Sequence, residues 1–346
     1  MGSDHVFLLD YFRRCQKVLS SIALGADTQD VFLQLQKIVE SMEKGRIASV
    51  LYLDKSSKTL HSYVENDLPG FYNDAIEGVE IGEFIGCCGS AVYLGKTVIA
   101  DDIQSHPNWK PYRELTNKSG LRACWSVPIA LSDGSIFGSF AIYSQEKAAP
   151  SEDELEILSM AAHIGSVAIE KSLFEEKLKF AATHDVLTHL LNRTQFEILA
   201  NKMLLQLELN QLSMSLLFFD LNNFKEVNDQ YGHDVGDKVL ILFAQVLESE
   251  LRESDIVCRR GGDEFLVGLT GTTKRGAEVY LHRVCNNFQK EQNRLDLTER
   301  VNFSVGISEA VPSVSLTLAD LIRLADQNMY KCKEMMREDS KKRTKE

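Results

Sequence analysis

The five residues Gly261–Phe265 constrain the fold of this 346-residue chain more than any other segment. Apolar residues alternate with others on both sides of them, which predicts two short strands joined by a glycine turn. Glycine accepts a positive φ and lets a ligand come close to the backbone. Asp263 and Glu264 leave the turn on opposite faces of the second strand. Taken alone, this hairpin also fits a solvated acidic turn.

The composition fits a soluble protein with two domains. Hydrophobic residues make up 44% and charged residues 25% of the chain, which is ordinary for globular proteins and enough for two cores. The net charge of -12 gives no case for a nucleic-acid partner. Seven cysteines, an odd number, argue against a disulfide framework. We expect a cytoplasmic protein without a signal peptide or membrane span.

Residues 1–150 are predicted to form the first domain, a sheet flanked by helices. Helical patterns cover about 4–24 and 28–44, and a glycine-rich turn is expected at 82–89. Strands are predicted near 48–54, 59–64, 98–100, 123–131 and 135–143.

A long helical linker is predicted over residues 151–184. Ser151 and Glu154 have the spacing of a capping box at its start. Apolar residues then follow at alternating steps of three and four, with Lys171 as the charged exception: Ile157, Met160, Ile164, Val167, Phe174, Leu178 and Ala181. This heptad pattern predicts a coiled-coil stalk in a parallel homodimer. A helix packed on its own domain is the alternative.

The second domain, residues 185–338, adds a strand and a loop to the acidic hairpin, and a short basic tail follows at 339–346. The strand is hydrophobic and ends at Asp220, and Lys225 lies in the loop that opens the next helix. If the hairpin pairs beside this strand, Asp220 and Asp263 converge. Two carboxylates suit Mg²⁺, which completes its shell with water and phosphate oxygens. The sequence therefore predicts a phosphate and metal site here.

Five separated blocks of this domain are typical of one family. They are DVLTHLLNR, DLNNFKEVND, YGHDVGD, RRGGDEF and the segment from Ala325 to Arg337. With them, residues 185–337 resemble a GGDEF domain, the diguanylate cyclase family. The resemblance implies an α/β (α+β) fold, a βααββαβ palm like that of class III nucleotide cyclases. It also implies that a homodimer, holding one GTP in each subunit, joins two GTP into cyclic di-GMP and releases two pyrophosphates.

The resemblance implies roles for the acids of the site. Asp220, Asp263 and the backbone carbonyl of Leu221 match the ligands of Mg²⁺ or Mn²⁺. Glu264 would support a second metal or help to deprotonate the attacking 3′-hydroxyl, which makes it a catalytic candidate with Asp263.

Other matched residues would hold the substrate. Asn228 and Asp237 match the guanine readers, and a carboxylate suits the N1–H and N2–H₂ donors of guanine but not the N1 acceptor of adenine. Lys333 and Arg337, on one helical face, match cations that neutralise charge in the transition state. The remaining substrate candidates lie beside the phosphates: Phe224, Lys225, Gly261 and Gly262.

Three further positions bear on regulation. Arg252 and Asp255 have the spacing of the inhibitory RxxD site of the family, which implies feedback by cyclic di-GMP, although an exposed charged loop is the alternative. His189 stands where the family usually has Gly, and Asn222 where it often has Asp. Neither has an implied catalytic role.

Residues from about 20 to 172 resemble a GAF domain. The resemblance rests on the segments 86–91, 98–109 and 120–129 and on the strand that ends at Tyr143. It implies a sensor fold but names no ligand. Cys87, Cys88 and Cys124 are candidates for redox sensitivity if they are exposed with lowered pKa, and buried small hydrophobic residues if they are not.

The sequence thus predicts a diguanylate cyclase regulated by a GAF domain. The alternative is a catalytically silent signalling module that binds GTP or cyclic di-GMP.

Overall fold

The computed structural model describes residues 2–294, 301–312, 314 and 316–343, without the side chains of residues 2–9, 208 and 336–343. The chain divides into two compact units, Met1–Glu175 and Glu176–Glu346. Each unit has its own sheet, and each is described by itself.

The first unit contains six strands in one antiparallel sheet. They are β1 (Arg46–Asp54), β2 (Thr59–Ser62), β3 (Val79–Glu80), β4 (Val98–Ala100), β5 (Ala123–Ala130) and β6 (Ile136–Ser144). Their order is β3-β2-β1-β6-β5-β4, so the hairpin partners β5 and β6 lie near the middle. All five predicted strands are confirmed, and β3 is a short addition.

Helices cover both faces of this sheet. They are α1 (Gly2–Ala23), α2 (Thr28–Glu40), α3 (Gly70–Ile76), α4 (Cys88–Leu94) and α5 (Arg113–Ser119), with a 3₁₀ helix at Pro107–Tyr112. Side chains of α1 and α2 enter one core layer, and those of α3 and α4 enter the other. The first two helices were predicted, but α4 begins inside the segment predicted as a turn. Short helices rich in glycine and small residues give little periodic signal.

A 32-residue helix, α6 (Glu152–Thr183), follows the sheet. The predicted capping box is present: the Ser151 N–H donates to Glu154 Oε2 at 2.8 Å, and the Glu154 N–H donates to Ser151 Oγ at 3.1 Å. Ile157 and Ile164 are buried in the core of the first unit, so the predicted continuous coiled-coil seam is wrong for this half. Further along, Phe174 is 66% exposed. A coiled-coil stalk between two subunits therefore stays a prediction for the C-terminal half of α6, where Phe174 and Leu178 are exposed.

The same helix bears on the expectation that no segment could cross a membrane. By length and mean hydropathy α6 is able to do so, and half of its most apolar window is buried inside the protein. A core helix of a soluble domain has the same properties.

The second unit begins with β7 (Leu191–Asn192) and α7 (Arg193–Asn210). The next seven elements are β8 (Met214–Leu221), α8 (Phe224–Tyr231), α9 (His233–Ser249), β9 (Ile256–Gly261), β10 (Glu264–Thr270), α10 (Lys274–Glu291) and β11 (Phe303–Ala310). They reproduce the predicted βααββαβ order. The last helix is α11 (Leu318–Arg343). The sheet order is β11-β8-β10-β9-β7, and β7 pairs with β9 in parallel.

Strand β8 is buried on both faces, which explains its continuous apolar sequence. Leu217 and Phe219 pack in the core layer that includes α9 and α10, whereas Leu216 and Phe218 pack in the layer that includes α7 and α11. The apolar run stops at Asp220, whose side chain is only partly buried. The end of β8 therefore places the Asp220 carboxylate at the boundary between the core and the solvent.

Candidate functional site

Strand pairing brings the predicted acids together at one end of the second sheet. Asp220 lies opposite Glu264 on β10 and opposite Ser304 on β11. The Leu221 N–H donates to the backbone carbonyl of Asp263 at 3.2 Å, which fixes the acidic turn beside the end of β8. The hairpin thus pairs beside the strand of Asp220, the arrangement on which convergence of Asp220 and Asp263 depends.

The turn needs both of its glycines for their backbone conformation. Gly261 has φ 150° and Gly262 has φ 57°, and a Cβ at either position would meet nothing within 4 Å. Because no side chain stands here, the open space leaves the backbone accessible to a ligand. Arg259 holds the turn, because its Nε donates to the Gly262 carbonyl at 2.9 Å and its Nη1 donates to Asp185 at 3.2 Å.

The two aspartates interact electrostatically. Burial, and then the negative charge of Asp220, raise the pKa of Asp263. Lys333 opposes this effect, since its Nζ lies 2.5 Å from Asp220 Oδ1. Two carboxylates and one ammonium therefore lie together at the end of β8, next to the acidic turn.

Helix α11 carries Lys333 to the site by packing closely on β11. A Cβ on Gly306 would lie 2.0 Å from the carbonyl oxygen of Ala325 and 2.2 Å from the backbone nitrogen of Met329. Only glycine at position 306 permits this approach. Arg337 lies one turn further along α11, and its side chain is outside the part of the chain that the structure describes.

The oxygen atoms at this site suit a hard divalent cation, although they include only two carboxylates. Asp220, Asp263 and the Leu221 carbonyl offer oxygens, and a cation would relieve the repulsion that raises the pKa of Asp263. Glu264 instead accepts a hydrogen bond from Arg260 Nη1 at 2.6 Å. Among the described residues, no three His, Cys, Asp or Glu side chains cluster as a metal site. Two carboxylates rather than three are therefore in place, and a metal role for Glu264 stays a prediction.

The predicted guanine readers lie where α8 turns into α9. A Cβ on Gly236 would lie 1.9 Å from Asn228 Oδ1, so this glycine makes room for the Asn228 amide. Asp237 follows directly and is exposed. The N–H of Gly232 donates to the Asn228 carbonyl at 2.9 Å, which closes the turn between the helices. An amide and a carboxylate are thus presented at one junction.

Phe224 and Lys225 occupy the first turn of α8. Phe224 is half-buried, and its ring lies 3.2 Å from the position of a Cβ on Gly236. Lys225 is exposed. The Phe224 ring therefore packs against the turn between α8 and α9 at Gly236, whereas Lys225 is exposed to solvent.

The RxxD segment forms a compact turn before β9. Asp255 accepts the Arg252 N–H at 3.0 Å and the Thr270 N–H at 2.9 Å, so its carboxylate has a structural role that the sequence did not reveal. The Arg252 side chain is exposed and borders a cavity of about 350 Å³. His189 lines the same cavity and adopts φ 62°, which accounts for a preference for glycine at that position.

The ion pairs made by the two arginines before the glycine turn were missed by sequence reasoning. Arg259 reaches Asp185, and Arg260 reaches Glu264. The sequence feature that could have predicted these ion pairs is the pair of adjacent arginines directly before the acidic turn.

Comparisons with known proteins agree with this architecture. A family model described as the diguanylate cyclase GGDEF domain matches residues 182–339, and a GAF domain model matches residues 25–170. Over 163 residues the chain is 36% identical to the methyl sulfide methyltransferase-associated sensor of Methanosarcina acetivorans, covering 47% of this chain and 16% of that protein.

Several relatives carry the name diguanylate cyclase, among them DosC and DgcM. DosC of Escherichia coli K12 is 30% identical over 164 residues, which are 47% of this chain and 36% of DosC. DgcM of the same strain is 34% identical over 164 residues, which are 47% of this chain and 39% of DgcM. The chain thus spans well under half the length of these relatives.

Solved structures of GGDEF domains are also similar. The GGDEF domain of YfiN (TpbB) from Pseudomonas aeruginosa is 35% identical, covers 44% of this chain and 89% of its own, and has a TM-score of 0.40. That of DgcB from Caulobacter crescentus, solved with cyclic di-GMP, is 24% identical, with coverage of 44% and 91% and a TM-score of 0.41. From the family matches, this chain contains a GAF domain over residues 25–170 and a GGDEF domain over residues 182–339.

Proposed function

We propose that this protein is a diguanylate cyclase that converts two GTP into cyclic di-GMP and two pyrophosphates. The register of β8 and β10 carries the proposal, because it sets Asp220, near the end of β8, beside the turn of Asp263. Lys333 adds a positive charge at the same place. Carboxylates for a metal and a cation for phosphate are what phosphoryl transfer requires.

Guanine would bind at the junction of α8 and α9. Asn228 and Asp237 read its N1–H and N2–H₂ edge, and the exposed Asp237 carboxylate repels the N1 acceptor of adenine. Lys225 neutralises phosphate charge from the first turn of α8. The backbone at Gly261 and Gly262 comes close to the triphosphate because no side chain intervenes.

The reaction joins the 3′-oxygen of one GTP to the α-phosphorus of the other and breaks the bond to pyrophosphate. Asp220, Asp263 and the Leu221 carbonyl would hold Mg²⁺ or Mn²⁺, which supplies charge neutralisation at the phosphates. Lys333 and Arg337 stabilise the charge that grows on the leaving pyrophosphate. Glu264 accepts the proton of the attacking hydroxyl once Arg260 releases it. Each step is positioning and electrostatics rather than covalent catalysis.

A homodimer would be needed, because one subunit holds one GTP and the two must face each other. The exposed apolar half of α6, which includes Phe174 and Leu178, supports a coiled-coil contact between copies. The GAF domain would set how the catalytic domains meet. Cyclic di-GMP bound by the exposed Arg252 side chain, on the turn that Asp255 holds, would keep them apart as feedback.

The test is synthesis by purified protein, stripped of bound nucleotide, given GTP and Mg²⁺. Asp263→Asn should abolish cyclic di-GMP formation, whereas Glu278→Gln, an exposed acid on α10, should leave it unchanged. If wild type binds GTP and forms no product, the protein is the catalytically silent binding module and the enzyme proposal fails.

A further inference from the structure

The side chain of Arg260 spans the glycine turn and ends on Glu264. Its Nη1 donates to Glu264 Oε2 at 2.6 Å, and its guanidinium lies over the Phe218 ring, 5.3 Å from the ring centroid. The ion pair is partly buried, since the Arg260 side chain is 27% exposed and that of Glu264 is 34% exposed. A short, partly buried pair that also packs on an aromatic ring has a more defined geometry than an ordinary surface pair.

Glu264 lies on the same face of the sheet as Asp220. The two residues are direct partners in the register of β8 and β10, and the Cβ atoms of such partners are about 4.5–5.5 Å apart. Lys333 reaches Asp220 on this face from α11. Glu264 is therefore close enough to the predicted metal ligands to join them, but its carboxylate is held by Arg260.

Each of the two facing carboxylates is thus paired with one cation. Lys333 pairs with Asp220, and Arg260 pairs with Glu264. A divalent metal competes with such cations for the same carboxylate oxygens. Coordination of a metal by Glu264 therefore requires that Arg260 leave it.

A groove beside Arg260 has room for the released guanidinium. It lies between α7 and α11, has a free volume of about 550 Å³, and includes Phe218 and Arg260 in its walls. The exposed Asp326 of α11 lines the same groove and offers a second carboxylate. An arginine that moves into the groove stays beside the aromatic ring and finds a new acidic partner, so the exchange costs little free energy.

We propose that Arg260 is a positioning residue that withholds Glu264 from the metal site and thereby weakens metal binding by the protein without nucleotide. While Arg260 holds Glu264, the ligand set consists of Asp220, Asp263 and the Leu221 carbonyl. Glu264 joins this set when Arg260 moves into the groove. The inference rests on the proposed cyclase site, but it concerns the affinity for the metal and is measured without the reaction.

The test measures Mn²⁺ binding to the full chain without nucleotide, by the loss of the electron paramagnetic resonance signal of free Mn²⁺. Arg260→Gln should bind Mn²⁺ about tenfold more tightly than wild type, which is the scale of one charge-assisted hydrogen bond. Arg193→Gln is the matched control, because Arg193 lines the same groove but pairs with Glu197, and its affinity should equal that of wild type. Equal affinities of Arg260→Gln and wild type, or binding by neither, would overturn the proposal.

A second comparison shows whether Arg260 acts through Glu264. In the Glu264→Gln background, Arg260→Gln should change the Mn²⁺ affinity by less than about twofold, since no carboxylate is left to release. An equal gain in both backgrounds would show simple charge repulsion and refute the assigned role.

Failure of this inference is distinguishable from failure of the cyclase proposal. If the Mn²⁺ affinities follow the expected pattern but no cyclic di-GMP is formed, the role of Arg260 stands and the enzyme proposal fails. If cyclic di-GMP is formed and the affinities do not differ, the enzyme proposal stands and the role of Arg260 is refuted.

Discussion

Lys333 places its ammonium nitrogen 2.5 Å from the carboxylate of Asp220, which joins the last helix to the end of β8 across 113 residues. Both side chains are largely buried, at 23% and 13% exposure. The lysine offsets the repulsion between Asp220 and Asp263 in the protein without nucleotide. In the proposed reaction, Lys333 would also neutralise negative charge on the triphosphate.

Lys333→Ala should lower the initial rate of cyclic di-GMP formation by about 100-fold, because a preorganised cation is lost from the transition state. Unfolding free energy should fall by about 1–3 kcal/mol, since Asp220 loses its partner. Lys331→Ala, which is exposed on the same helix, should change neither value by much. A rate loss no larger than the unfolded fraction explains would contradict a catalytic role.

Protonation of Asp263 should make metal-free stability depend on pH. Its folded pKa is raised, so the folded state binds the proton more tightly, and stability falls as pH rises through this pKa. Without metal, Asp263→Asn should therefore have a higher Tm than wild type at neutral pH, and the difference should vanish below the ordinary pKa of aspartate. Mg²⁺ should raise the Tm of wild type more than that of the variant. A variant less stable than wild type at neutral pH would contradict a pKa of Asp263 raised by burial and by the charge of Asp220.

Gly306→Ala should lift α11 from β11, because the added methyl group would overlap the backbone of Ala325 and Met329. We expect a loss of about 2–4 kcal/mol in unfolding free energy, measured by denaturant titration. Gly70→Ala, where a Cβ meets nothing within 4 Å, serves as the control. Equal stability of the two variants would show that α11 is not held as described.

Gly236→Ala should impair substrate binding more than catalysis. Its methyl group would displace the Asn228 amide, a flexible side chain that can move at little cost in stability. The KM for GTP should rise about tenfold, with a smaller effect on kcat. A variant with unchanged KM would remove Asn228 from the guanine site.

Substitutions of Arg252 and Asp255 should have different effects, because we expect Arg252 to contact the ligand and Asp255 to stabilise the turn. Asp255→Ala should cost about 1–2 kcal/mol of unfolding free energy, because two backbone N–H groups lose their acceptor. Arg252→Ala should leave stability unchanged but raise the cyclic di-GMP concentration that half-inhibits synthesis. Identical inhibition curves for wild type and Arg252→Ala would refute feedback at this turn.

The architecture of the second domain was predictable because strong local signals agreed with each other. The apolar run before Asp220 marks a strand buried on both faces, and the Gly261–Phe265 segment marks a hairpin. The sequence did not predict that the hairpin pairs with this strand. It predicted only that Asp220 and Asp263 would converge if the two pair. Strand order depends on long-range contacts that no local pattern contains.

Other features were not predictable for a related reason. The heptad pattern of α6 is the same on both halves, but Ile157 and Ile164 contact their own sheet, and only the tertiary fold shows this. The Tyr143 hydroxyl lies 3.6 Å from the Cys88 sulfur although the two residues are 55 positions apart in the sequence. Capping by Asp255 likewise depends on Thr270, fifteen residues away.

The most direct test of the central claim is the stoichiometry of the reaction in nucleotide-free protein with Mg²⁺. Chromatography of the products should show one cyclic di-GMP and two pyrophosphates for every two GTP consumed, and neither product with Asp263→Asn. Stable GTP in the presence of folded, GTP-bound wild-type protein would contradict the account.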